Sequence, residues 1–216
     1  MNILFENDIY WVVCKPAGMV SEQDGGRGLA DLLAARNGGY AGVIHRLDRE
    51  VGGLILYAKT PAAAARLTAL MQEGKLKKEY LAAVAGAPEE PAGELCDLLF
   101  YDRAKNKVFA ADRKRRGVKD AVLRYRTEAT AACAGIGKIT LLSVEPVTGR
   151  THQIRVQFAS RKHPILGDRR YGGPALPGER KGILLACRKI VFPEGDKMRE
   201  FCAAPEWESV FFPSVE

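Results

Sequence analysis

The sixteen residues His45-Arg46-Leu47-Asp48-Arg49-Glu50-Val51-Gly52-Gly53-Leu54-Ile55-Leu56-Tyr57-Ala58-Lys59-Thr60 constrain this chain more than any other stretch. A histidine, two arginines and two acids crowd into six residues, and a glycine pair and an apolar run follow. Leu54 to Ala58 has the length and the bounds of a buried strand, with Gly-Gly before it and Lys-Thr-Pro after it. The polar cluster therefore falls on a loop at the mouth of a core strand, where a rigid element presents side chains to solvent. Asp48 stands at its centre between Arg46 and Arg49. Taken alone, such a cluster is an ordinary solvated loop whose surface ion pairs are weak.

The rest of the chain reads as strands with few helices. Residues 3–5 and 9–14 predict two short strands around the turn-prone Glu6-Asn7-Asp8, and Lys15-Pro16-Ala17-Gly18 stops the second. Arg27 to Arg36 predicts a short helix with Leu29, Leu32 and Leu33 as its apolar side. Thr60-Pro61 starts a further helix with an N-cap hydroxyl and a proline at the first position, and Gly74 ends it. Lys77 to Gly86 reads as basic residues leading into a strand. The runs 107–111, 121–127 and 137–145 form a meander, with Arg113 to Lys119 as a hairpin tip. A last apolar strand covers Gly182 to Phe192, and Phe201 and the segment from Pro205 to Phe212 close the core.

At 216 residues, 47% hydrophobic and 27% charged, the chain has the composition of a soluble globular protein. No apolar run reaches the roughly eighteen residues of a membrane span, and the amino terminus shows no signal-peptide pattern. The expected location is the cytoplasm. The five cysteines form no C-x-x-C pair and read as reduced thiols, most of them in the core; no metal site is predicted. The formal charge is +7, and between Arg103 and Lys119 eight basic residues stand against Asp112 alone. That distribution favours a polyanionic partner.

A second polar stretch, Gly149-Arg150-Thr151-His152-Gln153-Ile154-Arg155, precedes the apolar residues Phe158 and Ala159 and reads as the amino end of a helix capped by Thr151. On its own it describes a generic anion site. Together with His163-Pro164-Ile165-Leu166-Gly167-Asp168-Arg169-Arg170-Tyr171-Gly172, with the loop at Asp48 and with Lys15-Pro16-Ala17-Gly18, it resembles the signatures of the RluA-type RNA pseudouridine synthases. The resemblance runs from about Asn2 to Phe192 in four ordered blocks. Two departures are visible: the family usually has Thr-Ser-Gly where this chain has Val51-Gly52-Gly53, and Leu-His-Ala where it has Leu185-Ala186-Cys187.

The resemblance implies an α+β pseudouridine synthase fold, with a mixed, mainly antiparallel sheet, flanking helices and a central RNA-binding cleft. It implies one catalytic domain over 1–216, with no separate RNA-binding module before the turn at residue 15. The implied reaction turns uridine in ribosomal or transfer RNA into pseudouridine by moving the base from N1 to C5. Asp48 is the implied catalytic carboxylate, Arg155 its ion-pair partner and Tyr80 the aromatic residue against the target base. Arg46 is the implied filler of the gap left by a flipped-out uridine, a displacement that costs a few kcal/mol of unstacking. Arg150, His152, Arg115 and Arg116 are the expected RNA contacts. No cofactor, metal, membrane or obligate protein partner is implied. Two other readings stay open at this point: a catalytically silent RNA binder of the same fold, and a metal-dependent RNA hydrolase. The second lacks any H-x-H or H-x-x-x-H pair.

Overall fold

The run from Leu54 to Ala58 is buried on both faces of its sheet, which is why it is continuously apolar instead of alternating. The computed structural model describes residues 2–178 and 180–213. Eleven strands and four helices follow in chain order. The first part holds β1 (Asn2–Glu6), β2 (Tyr10–Lys15), α1 (Leu29–Arg36), β3 (Gly42–Val43), β4 (Gly52–Ala58) and α2 (Pro61–Gln72). Then come β5 (Lys77–Ala85), β6 (Ala92–Asp102), β7 (Lys107–Ala111), β8 (Val118–Cys133) and β9 (Gly137–Pro146). The chain ends with α3 (Gln153–Ala159), β10 (Leu185–Glu194), β11 (Lys197–Cys202) and α4 (Glu208–Phe211). No helix among the described residues is long and apolar enough to cross a membrane.

These elements form two compact units. The first runs to Glu79 and includes Ala186–Pro205; the second is Tyr80–Leu185 with the residues from Glu206. In the first unit the strand order is β1-β2-β4-β10, with β11 paired to β10. Every pairing is antiparallel except β4 with β10, so the sheet is mixed. One side of β4 pairs with β2 from Gly53 to Ala58; the other meets β10 at Gly52 and Gly53 and β3 at Tyr57 and Ala58. Helix α2 starts as the sequence predicts: the Thr60 side chain accepts from the Ala63 amide at 3.1 Å, with Pro61 at the first helical position. Phe5, Tyr10, Phe192 and Phe201 form an aromatic cluster across β1, β2, β10 and β11.

The second unit has the order β5-β9-β8-β6-β7, all antiparallel. Leu81, Ala83, Ile139, Leu141, Leu166, Leu184 and Phe212 build its main core, and Trp207 and Phe211 pack against it. A smaller core joins Leu99 and Val108 to Ala121 and Val156 of α3.

Four expectations need correction. Strand β6 lies between β7 and β8, so residues 112–117 are not a hairpin tip; they cross from one side of β6 to the other. The hairpin turn lies instead between Asp102 and Lys107, closed by Asn106 at φ 45°. Strand β11 is a further element, half of a hairpin with β10. Helix α3 begins at Gln153 with His152, not Thr151, in the cap position. Among the cysteines only Cys187 is buried, whereas Cys96 and Cys202 are exposed.

Candidate functional site

In the first unit the loop carrying Asp48 is held by groups that grip its backbone. The Val51 amide donates to the Asp48 carbonyl at 3.0 Å and closes a four-residue turn. Ser21 brackets the preceding residue: its hydroxyl donates to the Leu47 carbonyl at 2.8 Å and accepts from the Leu47 amide at 3.1 Å. Tyr57 of β4 fixes Ser21 in turn, donating to its carbonyl at 2.7 Å.

Beneath the turn lies the fully buried ammonium of Lys15. It donates to the carbonyls of Met19 at 2.7 Å, Pro16 at 3.0 Å and Arg49 at 3.2 Å, and the Gly18 amide reaches the same Arg49 carbonyl at 2.7 Å. Burial pushes the Lys15 pKa down to about 8, opposed by the carboxylates of Asp48 and Glu50. Asp48 itself is half-buried.

The two arginines beside Asp48 lie outside this cage. Arg46 meets Glu22 at 3.0 Å and Arg49 meets Asp24 at 3.4 Å, all four side chains being substantially exposed. Such pairs contribute little and exchange readily. His45 is the opposite case. It is buried, its Nε2 accepts from the Leu56 amide at 3.2 Å, and desolvation, with the Lys78 charge nearby, pushes its pKa well below the ordinary value. With Nε2 as acceptor, the neutral ring carries its proton on Nδ1, which finds no hydrogen-bond partner among the described residues. His45 thus ties the loop to β4.

The two stretches that depart from the family pattern meet where β4 pairs with β10, and the glycine they keep in common with the family has a local reason. Gly53 has φ 104°, and a Cβ there would lie 2.2 Å from the Cys187 carbonyl oxygen, so β4 and β10 approach at a point where only glycine fits. At Gly52 a Cβ would meet the Lys15 carbonyl oxygen at 3.3 Å, a tight contact that a shift of a few tenths of an ångström relieves. Ala186 is buried opposite Gly52.

In the second unit, α3 and the segment after it assemble a polar cluster. Arg155 is buried, and Asp168 grips it with two parallel bonds, Nε to Oδ2 at 2.7 Å and Nη2 to Oδ1 at 2.8 Å. Tyr171, three residues further on, lays its ring against the same guanidinium at 5.3 Å. Its hydroxyl accepts from the Val108 amide at 2.9 Å and lies 2.8 Å from His152 Nδ1. Asp168 can reach Arg155 because the preceding Gly167 adopts φ 79° where the chain presses on the Gly182 carbonyl.

His152 sits in the left-handed region at φ 51°, directly before α3. Gln153 fixes that corner: its amide oxygen accepts from Thr148 Oγ1 at 2.8 Å and from the Arg150 amide at 3.0 Å, and its nitrogen donates to Val122 at 3.0 Å. Arg150 in turn donates to the Asp120 carbonyl at 2.8 Å, next to the Lys114–Asp120 ion pair at 3.0 Å.

The second unit therefore brings His152 and Arg155 together around Tyr171 and places Arg150 beside the basic crossing loop. Arg115 lies over the Phe100 ring at 5.5 Å, and Arg116 is exposed. Tyr80 is buried on β5 opposite Val144. Sequence reasoning treated Lys15 as part of a turn and gave no role to Ser21, Gln153, Asp168 or Tyr171. Four of these lie within or beside the quoted motifs, so the signal was position, without any indication of partner.

The fold is that of a mixed-sheet α+β protein, and comparison with known proteins gives its class. A family model described as RNA pseudouridylate synthase matches residues 9–160. An Aquifex aeolicus protein described as an uncharacterized RNA pseudouridine synthase is 34% identical over 208 residues, which is 88% of this chain and 63% of that one. The match thus spans less than two thirds of that relative's own length. The dual-specificity RNA pseudouridine synthase RluA of Escherichia coli is 36% identical over 190 residues, 85% of this chain and 82% of its own. The solved structure of human RNA Pseudouridylate Synthase Domain Containing 1 shares the fold at a TM-score of 0.80 and 21% identity, over 97% of this chain and 85% of that one. The chain belongs to the RluA-type RNA pseudouridine synthase family.

Proposed function

We propose that this protein isomerises uridine to pseudouridine within structured RNA, ribosomal or transfer, in the cytoplasm, with Asp48 as the catalytic carboxylate. The N1–C1′ glycosidic bond breaks and a C5–C1′ bond forms; N1 gains a proton and C5 loses one. No atom or electron is exchanged with a second reactant, so the chemistry asks for no cofactor. Asp48 captures or stabilises the sugar, or adds to the base, while the glycosidic bond is open. Arg155 keeps the carboxylate ionised and aimed. Tyr80 offers a flat face to the base and a hydroxyl for the proton at C5.

Arg46 fills the gap left by the flipped uridine, and Arg150, His152, Arg115 and Arg116 contact the RNA. The whole of 1–216 is assigned to one functional domain. The observation that carries this reading is the clamp on the Asp48 turn: Lys15, Ser21 and Val51 fix its backbone from three directions. That investment in one short loop is what a reaction at a fixed carboxylate requires. Exposed Arg46, which pairs with a solvated Glu22, can exchange that pair for a place in a base stack.

The test is tritium release from RNA labelled at uridine C5, run separately on ribosomal and transfer RNA pools. The wild-type protein is expected to release tritium from one or both, and Asp48→Asn none, while RNA binding persists. Full activity in Asp48→Asn refutes the assignment, and binding without release by the wild type favours the silent RNA binder.

A further inference from the structure

We propose that the outer face of the β6–β7 hairpin is a stacking platform for unpaired bases of the RNA other than the nucleotide that reacts. The proposal rests on the RNA reading above and extends it to a surface outside the clamped Asp48 turn and the Arg155 cluster. It starts from alternation. Leu99 and Val108 point into the small core with Ala121 and Val156, so their neighbours Phe100 and Phe109 point the other way. These two phenylalanines are direct cross-strand partners, which puts their rings side by side. Phe109 is 37% exposed on the edge strand of this unit. A solvated sheet face ordinarily carries polar residues at such positions.

Cations surround both rings. Arg115 stands over Phe100 at 5.5 Å, and Lys105 and Lys107 each lie 5.7 Å from the centre of Phe109. The crossing loop brings its basic residues here because it passes close to the sheet: a Cβ on Gly117 would touch the Phe100 ring at 3.4 Å. Flat apolar faces interleaved with Lys and Arg are the chemistry that binds single-stranded nucleic acid, with bases on the rings and phosphates on the cations. Exposed cation–π contacts are weak, so the lysines and the arginine can leave the rings for phosphates as bases arrive. A duplex offers the cations its phosphates but keeps its base faces stacked, so it uses only the charged part of the surface. An acidic protein would likewise use the charges and ignore the rings.

The experiment uses the full chain with Phe109→Leu, Phe100→Leu and Phe109→Tyr, binding a fluorescein-labelled twelve-residue oligouridine and a twelve-base-pair RNA duplex across a salt series. The leucine variants keep apolar bulk and lose the π face; the tyrosine variant keeps it. Phe109→Leu is expected to weaken oligouridine binding about tenfold, with an unchanged salt slope and unchanged duplex affinity, and Phe109→Tyr to restore it. Arg115→Gln is expected to weaken both RNAs and to lower the slope by about one.

Oligouridine affinity within twofold of wild type in both leucine variants overturns the platform, as does an equal loss for oligouridine and duplex. Polyglutamate that displaces oligouridine equally from the wild type and from Phe109→Leu assigns the face to an acidic partner and also overturns it. Tritium release is scored separately. Release with unaltered oligouridine binding removes the platform alone, whereas selective loss of oligouridine binding without release removes the isomerase alone.

Discussion

Replacing Asp168 with asparagine isolates the electrostatic part of the Arg155 clamp. The two side chains are 2% and 1% exposed, so water cannot replace the lost charge. Asparagine keeps the shape and one acceptor, but it turns an amide NH₂ toward a guanidinium N–H and removes the negative charge that grips the buried cation bidentately. Removing one partner of a buried pair generally costs about 3–5 kcal/mol. The retained acceptor and the Tyr171 ring place this substitution near the lower end, about 3 kcal/mol. For a chain of this length 1 kcal/mol moves the melting temperature by roughly 2–4 °C, so a drop of roughly 6–12 °C is expected by calorimetry, with a matching fall in urea midpoint. Arg155→Met in the same background removes the cation that Asp168 faces. The double variant is therefore expected to be less destabilised than the sum of the two singles by at least about 1.5 kcal/mol. A loss below 1 kcal/mol in Asp168→Asn, or strict additivity in the cycle, would falsify the claim that these charges depend on each other.

Three further outcomes are expected. Lys15 has its folded pKa depressed to about 8 from 10.5, so between those values the unfolded chain holds the extra proton and stability rises with pH; the full difference is about 3 kcal/mol. Urea midpoints at pH 7 and pH 9.5 are expected to show wild type gaining on Lys15→Met, and a constant gap between them would contradict the burial argument. Gly53→Ala places a methyl against the Cys187 backbone at a φ that L-residues avoid and is expected to cost about 3 kcal/mol. Gly52→Ser should stay within about 1 kcal/mol, and the two becoming equal in a thermal melt would remove the close-approach explanation. Cys187 is buried with its thiol pushed up to about 12 by desolvation and is expected to be the last cysteine alkylated in the native protein at pH 8. Mass spectrometry showing it modified as early as exposed Cys96 would refute its burial.

The parts of the fold that rest on local chemistry were legible in the sequence. Strand β4 announced itself by an apolar run between glycines and Thr-Pro, α2 by its hydroxyl cap and proline, and β7 by a run that the structure reproduces at Lys107–Ala111. Strand β6 escaped because Cys96 and Asp97 interrupt its alternation, and β11 because Lys197-Met198-Arg199-Glu200 is an exposed edge with no buried face. The order β8-β6-β7 depends on pairing between distant segments, and no local signal carries it, so the basic stretch was drawn as a tip. The site divides in the same way. The Asp48 loop and the Arg155 helix could be placed by motif, whereas Asp168 and Tyr171 act through partners thirteen to sixty-three residues away. Lys15 was hardest to see, since nothing in a Lys-Pro turn says that its ammonium will be enclosed.

That enclosure bears on which positions of the turn are free to vary. Lys15 binds the carbonyls of residues 16, 19 and 49, and Ser21 binds both backbone groups of residue 47. Every residue type supplies a carbonyl, so the clamp reads the path of the chain and is blind to most of its side chains. The shape under Asp48 can persist while its neighbours drift, and Val51-Gly52 can stand where a threonine and a serine are usual without loosening the turn. Information about the loop is thus concentrated in two residues outside it, and a change at Lys15 or Ser21 should disturb Asp48 more than most changes within the loop itself.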